Sequence, residues 1–102
     1  NYIIIRTRFF DKKNILYETA ATDIFTSMIE VKKLVKKIKT IFLTDFKGII
    51  NIGDTKKSDF LNYKKFKKDI KPCYRVDIMK NLNFKIAKDA SLNLNLYKKI
   101  KK

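Results

Sequence analysis

The chain is expected to fold as an α+β domain on the split βαβ, or ferredoxin-like, plan (βαββαβ), with a long basic arm between the second and third core strands. Three observations carry that expectation. An alternating apolar opening gives way to apolar residues at three- and four-residue spacing, which is the strand-then-helix signal. A similar pair of signals recurs after Pro72. Between them lies a lysine-rich stretch that belongs to neither. Both helices would cover one face of a four-stranded sheet and leave the other face and the arm open to partners.

Taken in order, residues 2–10 read as the first strand, with Arg6 and Arg8 on one face and Ile3, Ile5, Thr7 and Phe9 on the other. Residues 11–14 make a polar turn in which Asn14 is placed to cap a helix. Over 15–33, Tyr17, Ala20, Ala21, Ile24, Met28 and Val31 recur as one face of a helix, with Glu18 near its start and Lys32 and Lys33 near its end to suit the helix dipole. Residues 34–40 stay open between helix and strand. Val31, Leu34, Val35 and Ile38 continue the helical spacing, whereas Val35, Lys37, Lys39 and Ile41 alternate.

Short strands are expected at 41–43 and 48–52, with turns at 44–47 and 53–55. Pro72 blocks helix on its N-terminal side, and Tyr74, Val76 and Ile78 alternate with Arg75 and Asp77, so 73–79 reads as another strand. Residues 81–89 have room for about two turns of helix. The clearest alternation closes the pattern, with Leu92, Leu94 and Leu96 inward and Asn93, Asn95 and Tyr97 outward. Residues 98–102 form a basic tail, expected to be loosely ordered.

With 102 residues the chain has room for one domain, 1–102, able to hide roughly 60 to 70 per cent of its unfolded surface. Hydrophobic residues make up 45% of it, too many for a disordered tail, yet 25 basic against 10 acidic residues leave a net charge of +15. That charge repels itself within about 8 to 10 Å at physiological salt, so a polyanionic partner is expected. All the basic residues but Arg6, Arg8 and Arg75 are lysine, a bias that points to an AT-rich genome and leaves clusters more telling than single lysines.

Cys73 is the sole cysteine and histidine is absent, which argues against disulfides, zinc sites and Cys/His or Ser/His nucleophiles. No enzymatic role, cofactor, metal site or small-molecule substrate is expected. Cys73 itself reads as a small, at least half-buried side chain. No apolar run approaches the roughly 18 to 20 residues of a membrane span, so a soluble chain without a membrane partner is expected. It begins at Asn1, not methionine, so sequence upstream is expected.

The stretch 56–71 interleaves Lys56, Lys57, Lys64, Lys65, Lys67, Lys68 and Lys71 with Phe60, Tyr63 and Phe66, against only Asp59 and Asp69. Lysines neutralise phosphates and aromatic faces stack on bases, the usual composition of a nucleic-acid contact. The same residues also read as an amphipathic turn. Ser58 would cap a short helix whose Phe60, Tyr63, Phe66 and Ile70 form an apolar stripe, leaving the lysines in water.

With its elements in this order, the chain resembles the universal S-ten family of small-subunit ribosomal proteins. Ile3, Ile5, Arg6 and Arg8 are followed by Phe10 and Asp11 where the family has an aromatic and an aspartate, then by Lys12, Lys13 and Ile15. The helix to Lys33 falls where the family has its first helix. Ile41, Phe42, Leu43 and Thr44 stand where the bacterial family has an Ile-Pro-Leu-Pro-Thr strand, and Lys56, Lys57 and Ser58 with Tyr63 resemble its Lys-Lys-Ser and later aromatic. Arg75, Val76, Asp77 and Ile78 are similar to the segment closing the family's long arm, and 92–96 to its final strand. Missing prolines in the second strand, the absence of histidine, a shorter second helix and a small insertion before Ile41 point to an organellar member.

The resemblance implies a structural constituent of the small-subunit head, in a mitochondrial ribosome or another ribosome of bacterial type. Its globular part would sit on ribosomal RNA, and an arm at about 43–72 would reach between RNA and neighbouring head proteins. Binding would be mainly to backbone and shape. Arg6, Arg8, Lys12, Lys13, Lys56, Lys57, Lys64, Lys65, Lys67 and Lys68 are the expected phosphate contacts, with Lys36, Lys37 and Lys39 as weaker candidates. Tyr63 and Phe66 would stack on a base or pack on a neighbouring protein.

Three other readings compete with that one. A free ferredoxin-like RNA-binding module fits the charge, although 73–79 lacks the Gly-aromatic signature of RNA-recognition strands. An acylphosphatase-like hydrolase would need a glycine-rich cradle, and 9–14 contains no glycine. A membrane-surface domain could use 31–41 as a basic amphipathic helix.

Overall fold

The computed structural model describes residues 2–80 and 82–101. In chain order these form β1 (Ile3–Arg6), β2 (Phe9–Phe10), β3 (Thr19–Ala21), β4 (Phe25–Thr26), β5 (Ile29–Glu30), α1 (Val31–Phe42), β6 (Gly48–Asn51), β7 (Lys57–Ser58), α2 (Asp59–Lys64), β8 (Lys71–Cys73), α3 (Arg75–Met79) and α4 (Asn95–Ile100). The α+β class follows the expectation. The strands of the described residues pair two by two instead of joining one four-stranded sheet: β1 with β6, β2 with β5 and β3 with β8 in parallel, and β4 with β7 antiparallel.

β1, α1 and β6 make a βαβ crossover in which Ile3 lies opposite Gly48 and Arg6 opposite Asn51. The single strand expected over 2–10 divides at Thr7 because the chain changes partner there. The Arg6 carbonyl accepts from the Ile52 amide at 3.0 Å, and the Arg8 carbonyl from the Ile29 amide at 3.0 Å. Gly48 enters β6 with φ of 119°, a backbone state that L side chains rarely adopt.

The helix expected over 15–33 is absent, and the helix of this region is α1 instead. Thr19, Thr22, Ile24, Phe25, Thr26 and Ile29 are β-branched or aromatic, and Asp23 and Ser27 compete locally for backbone hydrogen bonds. Burial also departs from one helical face: Thr26, Ser27, Met28, Ile29 and Glu30 are consecutive and all buried. α1 settles 34–40 as helix. The Glu30 carboxylate caps it by accepting from the Lys32 amide at 3.1 Å, Leu34 and Ile41 are buried, and Lys32, Lys33, Lys36 and Lys39 face solvent. Residues 41–43, expected as a strand, are the last turn and C-cap of this helix. Leu34, Ile38 and Ile41 pack into the core, so this side of α1 is not presented to a lipid surface.

Two apolar clusters hold the fold. One gathers Ile29, Leu34, Ile41, Ile50, Ile52 and Tyr97, with Ile3 and Ile5 against it. The other gathers Ala20, Met28, Tyr63 and Ile70, with Phe10, Ile15 and Phe60 against it. The second cluster corrects the arm. Residues 43–72 lie folded on the body, contributing β6, β7, α2 and the buried Ile50, Ile52, Tyr63 and Ile70. The apolar-stripe reading of 58–70 describes them: Ser58 Oγ accepts from the Leu61 amide at 3.2 Å and caps α2, with Tyr63 and Ile70 inward.

The C-terminal third departs furthest from expectation. The strand expected at 73–79 is replaced by α3, because carboxylates take up amides at its start: Asp77 Oδ2 accepts from the Tyr74 amide at 3.1 Å and Asp23 Oδ1 from the Arg75 amide at 2.7 Å. Residues 82–89 form no helix, and Asn81, the first residue expected there, lies outside the described residues. The final strand is absent too. Leu92 and Leu94 are half-buried as the alternation requires, but Asn93 Oδ1 then accepts from the Asn95 amide at 3.0 Å and turns the chain into α4. Beyond that turn Leu96 is exposed and Tyr97 buried, opposite to a strand. The expected loose tail is thus α4 through Ile100, with Lys102 outside the described residues.

Candidate nucleic-acid interface

The carboxylates and the ammonium groups are disposed differently. Asp11, Asp23, Glu30, Asp54, Asp77 and Asp89 each accept a hydrogen bond from a backbone amide, at 2.7 to 3.1 Å. These six acid groups therefore serve caps and turns. Among the described residues only Arg8, Lys33, Lys56 and Lys80 stand within 4.0 Å of a carboxylate. The remaining lysines largely face solvent, where exposed pairing would contribute little in any case.

The expected contact residues do not form one surface. Lys12 and Lys65 converge on Phe66, 5.8 and 5.5 Å from its ring centroid, so a cation from the first segment and one from the arm share a ring. Phe66 in turn leans on Phe10 at 5.7 Å. Lys13, Lys57 and Lys68 are exposed, while Lys64 sits over Phe60 and donates to the Lys68 carbonyl at 2.7 Å. Arg6 lies apart, in a groove with Ile49, Leu96 and Lys99.

Three expectations change in kind. Tyr63 is not an outward stacking surface, because it is buried against Phe10 at 5.4 Å and Tyr17 at 5.8 Å. Lys67 is half-buried and donates to the carbonyls of Ile15 and Tyr17, at 3.4 and 2.6 Å, tying down the 11–17 loop. Arg8 lies 3.8 Å from Asp59, whose carboxyl is pushed up by burial and drawn back by Arg8 and by a hydrogen bond from Thr26. Cys73 is half-buried and unpaired.

A large basic groove was only partly foreseen. Lys37 of α1, Lys56 after β6, and Lys98 and Lys101 at the end of α4 line one open groove of about 500 Å³. Its single carboxylate is Asp54. Burial pushes that carboxyl up, but the Thr55 amide at 2.8 Å and the Lys33 ammonium at 3.3 Å outweigh burial and hold it lower than usual. Lys56 reaches Asp89 at 2.6 Å, and hydrogen bonds from Lys56 and Ser91 keep that carboxyl far below the usual range.

Lys37 donates to the Gly53 carbonyl at 2.6 Å and lies 5.2 Å from the Tyr97 ring centroid, with Lys101 at 5.9 Å from the same ring. Burial lowers the Lys37 pKa, and the charges of Lys101, Lys33 and Lys98 lower it further against the pull of Asp54. Glycine at 53 lets this segment pack against Ser27, since a Cβ there would meet the Ser27 carbonyl oxygen at 2.5 Å. In the sequence, the signal for this groove was Lys98 and Lys101 at helical spacing beside Tyr97; reading 92–97 as a strand hid it.

Among the described residues no group of three His, Cys, Asp or Glu side chains is arranged to hold a metal ion, and no helix is long and apolar enough to cross a membrane. In comparison with known proteins, the chain matches no family model, no curated protein and no solved structure.

Proposed function

We propose that this chain is a structural RNA-binding protein of the small ribosomal subunit, holding ribosomal RNA through lysines and meeting neighbouring head proteins along 43–72. The observation that carries RNA binding is the surplus of unpaired surface charge: the net charge is +15, and among the described residues only Arg8, Lys33, Lys56 and Lys80 stand within 4.0 Å of a carboxylate, so most of the ammonium groups are left to a partner. Phosphates are the abundant counter-charge for such a surface. The ribosomal setting rests on the sequence resemblance, and with it the mitochondrial location. The ferredoxin-like plan rests on the same resemblance, since the β1-α1-β6 crossover, whose strands pair directly, is a simple βαβ unit. No catalytic group is required.

A second reading, the free RNA-binding module, is favoured by one specific feature. Residues 43–72 complete the chain's own core through Tyr63 and Ile70 instead of extending from it. Gradient sedimentation of a native extract, before and after a high-salt wash, separates the two. Retention with small-subunit particles through the wash is the expected result. Release by salt favours the free module, whose contacts would be exposed and electrostatic. A chain that never sediments with ribosomes overturns the ribosomal assignment.

A further inference from the structure

We propose that the groove between α1, residues 53–56 and α4 holds one phosphate group of a nucleotide unit, whether in an RNA strand or in a free nucleotide. For its polymeric form this rests on the RNA-binding reading above. Four ammonium-bearing side chains from three distant segments, Lys37, Lys56, Lys98 and Lys101, line one concavity with a single carboxylate. Like charges brought together in a fold repel one another, and an anion between them removes the repulsion.

The groove's one carboxylate, Asp54, offsets this only in part, through its pull on Lys37. Asp54 is engaged by the Thr55 amide and Lys33, and Asp89, outside the lining, takes only Lys56 among the four. Lys98 and Lys101 have no carboxylate within 4.0 Å among the described residues. Lys37 and Lys101 share the Tyr97 ring, whose π-face attracts both cations but carries no net charge. A phosphate oxygen offers each ammonium what the ring lacks, a charged hydrogen-bond acceptor.

Shape and size agree with a nucleotide unit more than with a bare ion. At about 500 Å³ the groove falls within the usual 300 to 1,000 Å³ of sites for small organic ligands. Half-buried Leu92 and Leu94 give it an apolar flank, and Asn95 stands at its rim. The Lys37 ammonium, held at the Gly53 carbonyl, has a fixed position among the four. The anion would meet a preset charge there and solvent-facing ones at Lys98 and Lys101.

The test follows lysine side-chain and backbone NMR signals of the full chain during titration with a short oligouridylate, with uridine monophosphate and with inorganic phosphate. A Lys98→Gln/Lys101→Gln variant is compared with Lys85→Gln/Lys88→Gln, which removes the same charge outside the groove. The expected result is oligouridylate binding that weakens roughly tenfold in the groove variant, with a salt slope shallower by about one, and that weakens less in the comparison variant. Equal weakening by both variants leaves RNA binding standing and overturns the groove. Shifts of Lys37, Lys98 and Lys101 with uridine monophosphate but no RNA binding uphold the groove and overturn the RNA reading. Silence of these lysines toward all three probes overturns the groove.

Discussion

The Arg8 guanidinium stands 3.8 Å from the Asp59 carboxylate, joining the end of the first strand region to the first residue of α2. Asp59 is buried, and burial raises its pKa above the unfolded value. Between the two values the folded chain binds the extra proton, so stability falls as pH rises through that window. Arg8→Gln removes the opposing charge. We expect the Asp59 pKa to rise further and the window to widen upward, as read by carboxyl-carbon NMR titration. An unmoved titration would show that the pair is too distant to matter.

Ser58 caps α2 with its side chain. Ser58→Ala should lower stability by about 0.5 to 2 kcal/mol, the usual cost of a lost N-cap. Thermal unfolding measures it. Ser58→Thr should recover most of the loss, since its hydroxyl supplies the same uncharged acceptor for the Leu61 amide at this buried position.

Gly53→Ala places a methyl 2.5 Å from the Ser27 carbonyl oxygen, a backbone atom that no side-chain rotation can move aside, and 3.1 Å from Ser27 Cβ. A loss of roughly 1 to 3 kcal/mol is expected, as for overpacked cores. Chemical denaturation checks the loss. The Lys37 ammonium signal should move in the same variant, because the carbonyl it donates to is displaced.

Lys67→Ala distinguishes a scaffold lysine from an RNA contact. With its two carbonyl acceptors released, amide exchange across 13–17 should quicken without RNA present, and global stability should fall by no more than about 1.5 kcal/mol. Unchanged exchange in the free protein would return Lys67 to the set of solvent-facing candidates.

Local chemistry was legible in the sequence and long-range pairing was not. Ser58 as a cap and the Phe60, Tyr63, Ile70 stripe could be read because each needs only neighbours within one or two turns. Residues 48–52 showed their strand for the same reason. The helical spacing at 15–33 misled because Ala20 lies in β3 while Ile24 and Met28 immediately precede β4 and β5, so three separate extended segments bury these residues without a helix. At 92–97 the alternation was real for Leu92 and Leu94 and ended at the Asn93 turn. The basic groove depends on positions 37, 56, 98 and 101 meeting in space, which no periodicity encodes. Arm and body could not be told apart either, since lysines of 56–68 look alike whether their aromatic neighbours face a partner or the core.

Each sheet joins segments far apart in the chain: Ile3 waits for Gly48, Phe9 for Ile29, Phe25 for Ser58 and Thr19 for Lys71. No ladder among the described residues is a hairpin. During synthesis from the N-terminus, therefore, the first strands leave the ribosomal exit with no partner yet made, and the second core cannot close until residue 71 has emerged. Such a chain commits late and all together. Until then its lysine surplus keeps nascent copies apart by mutual repulsion.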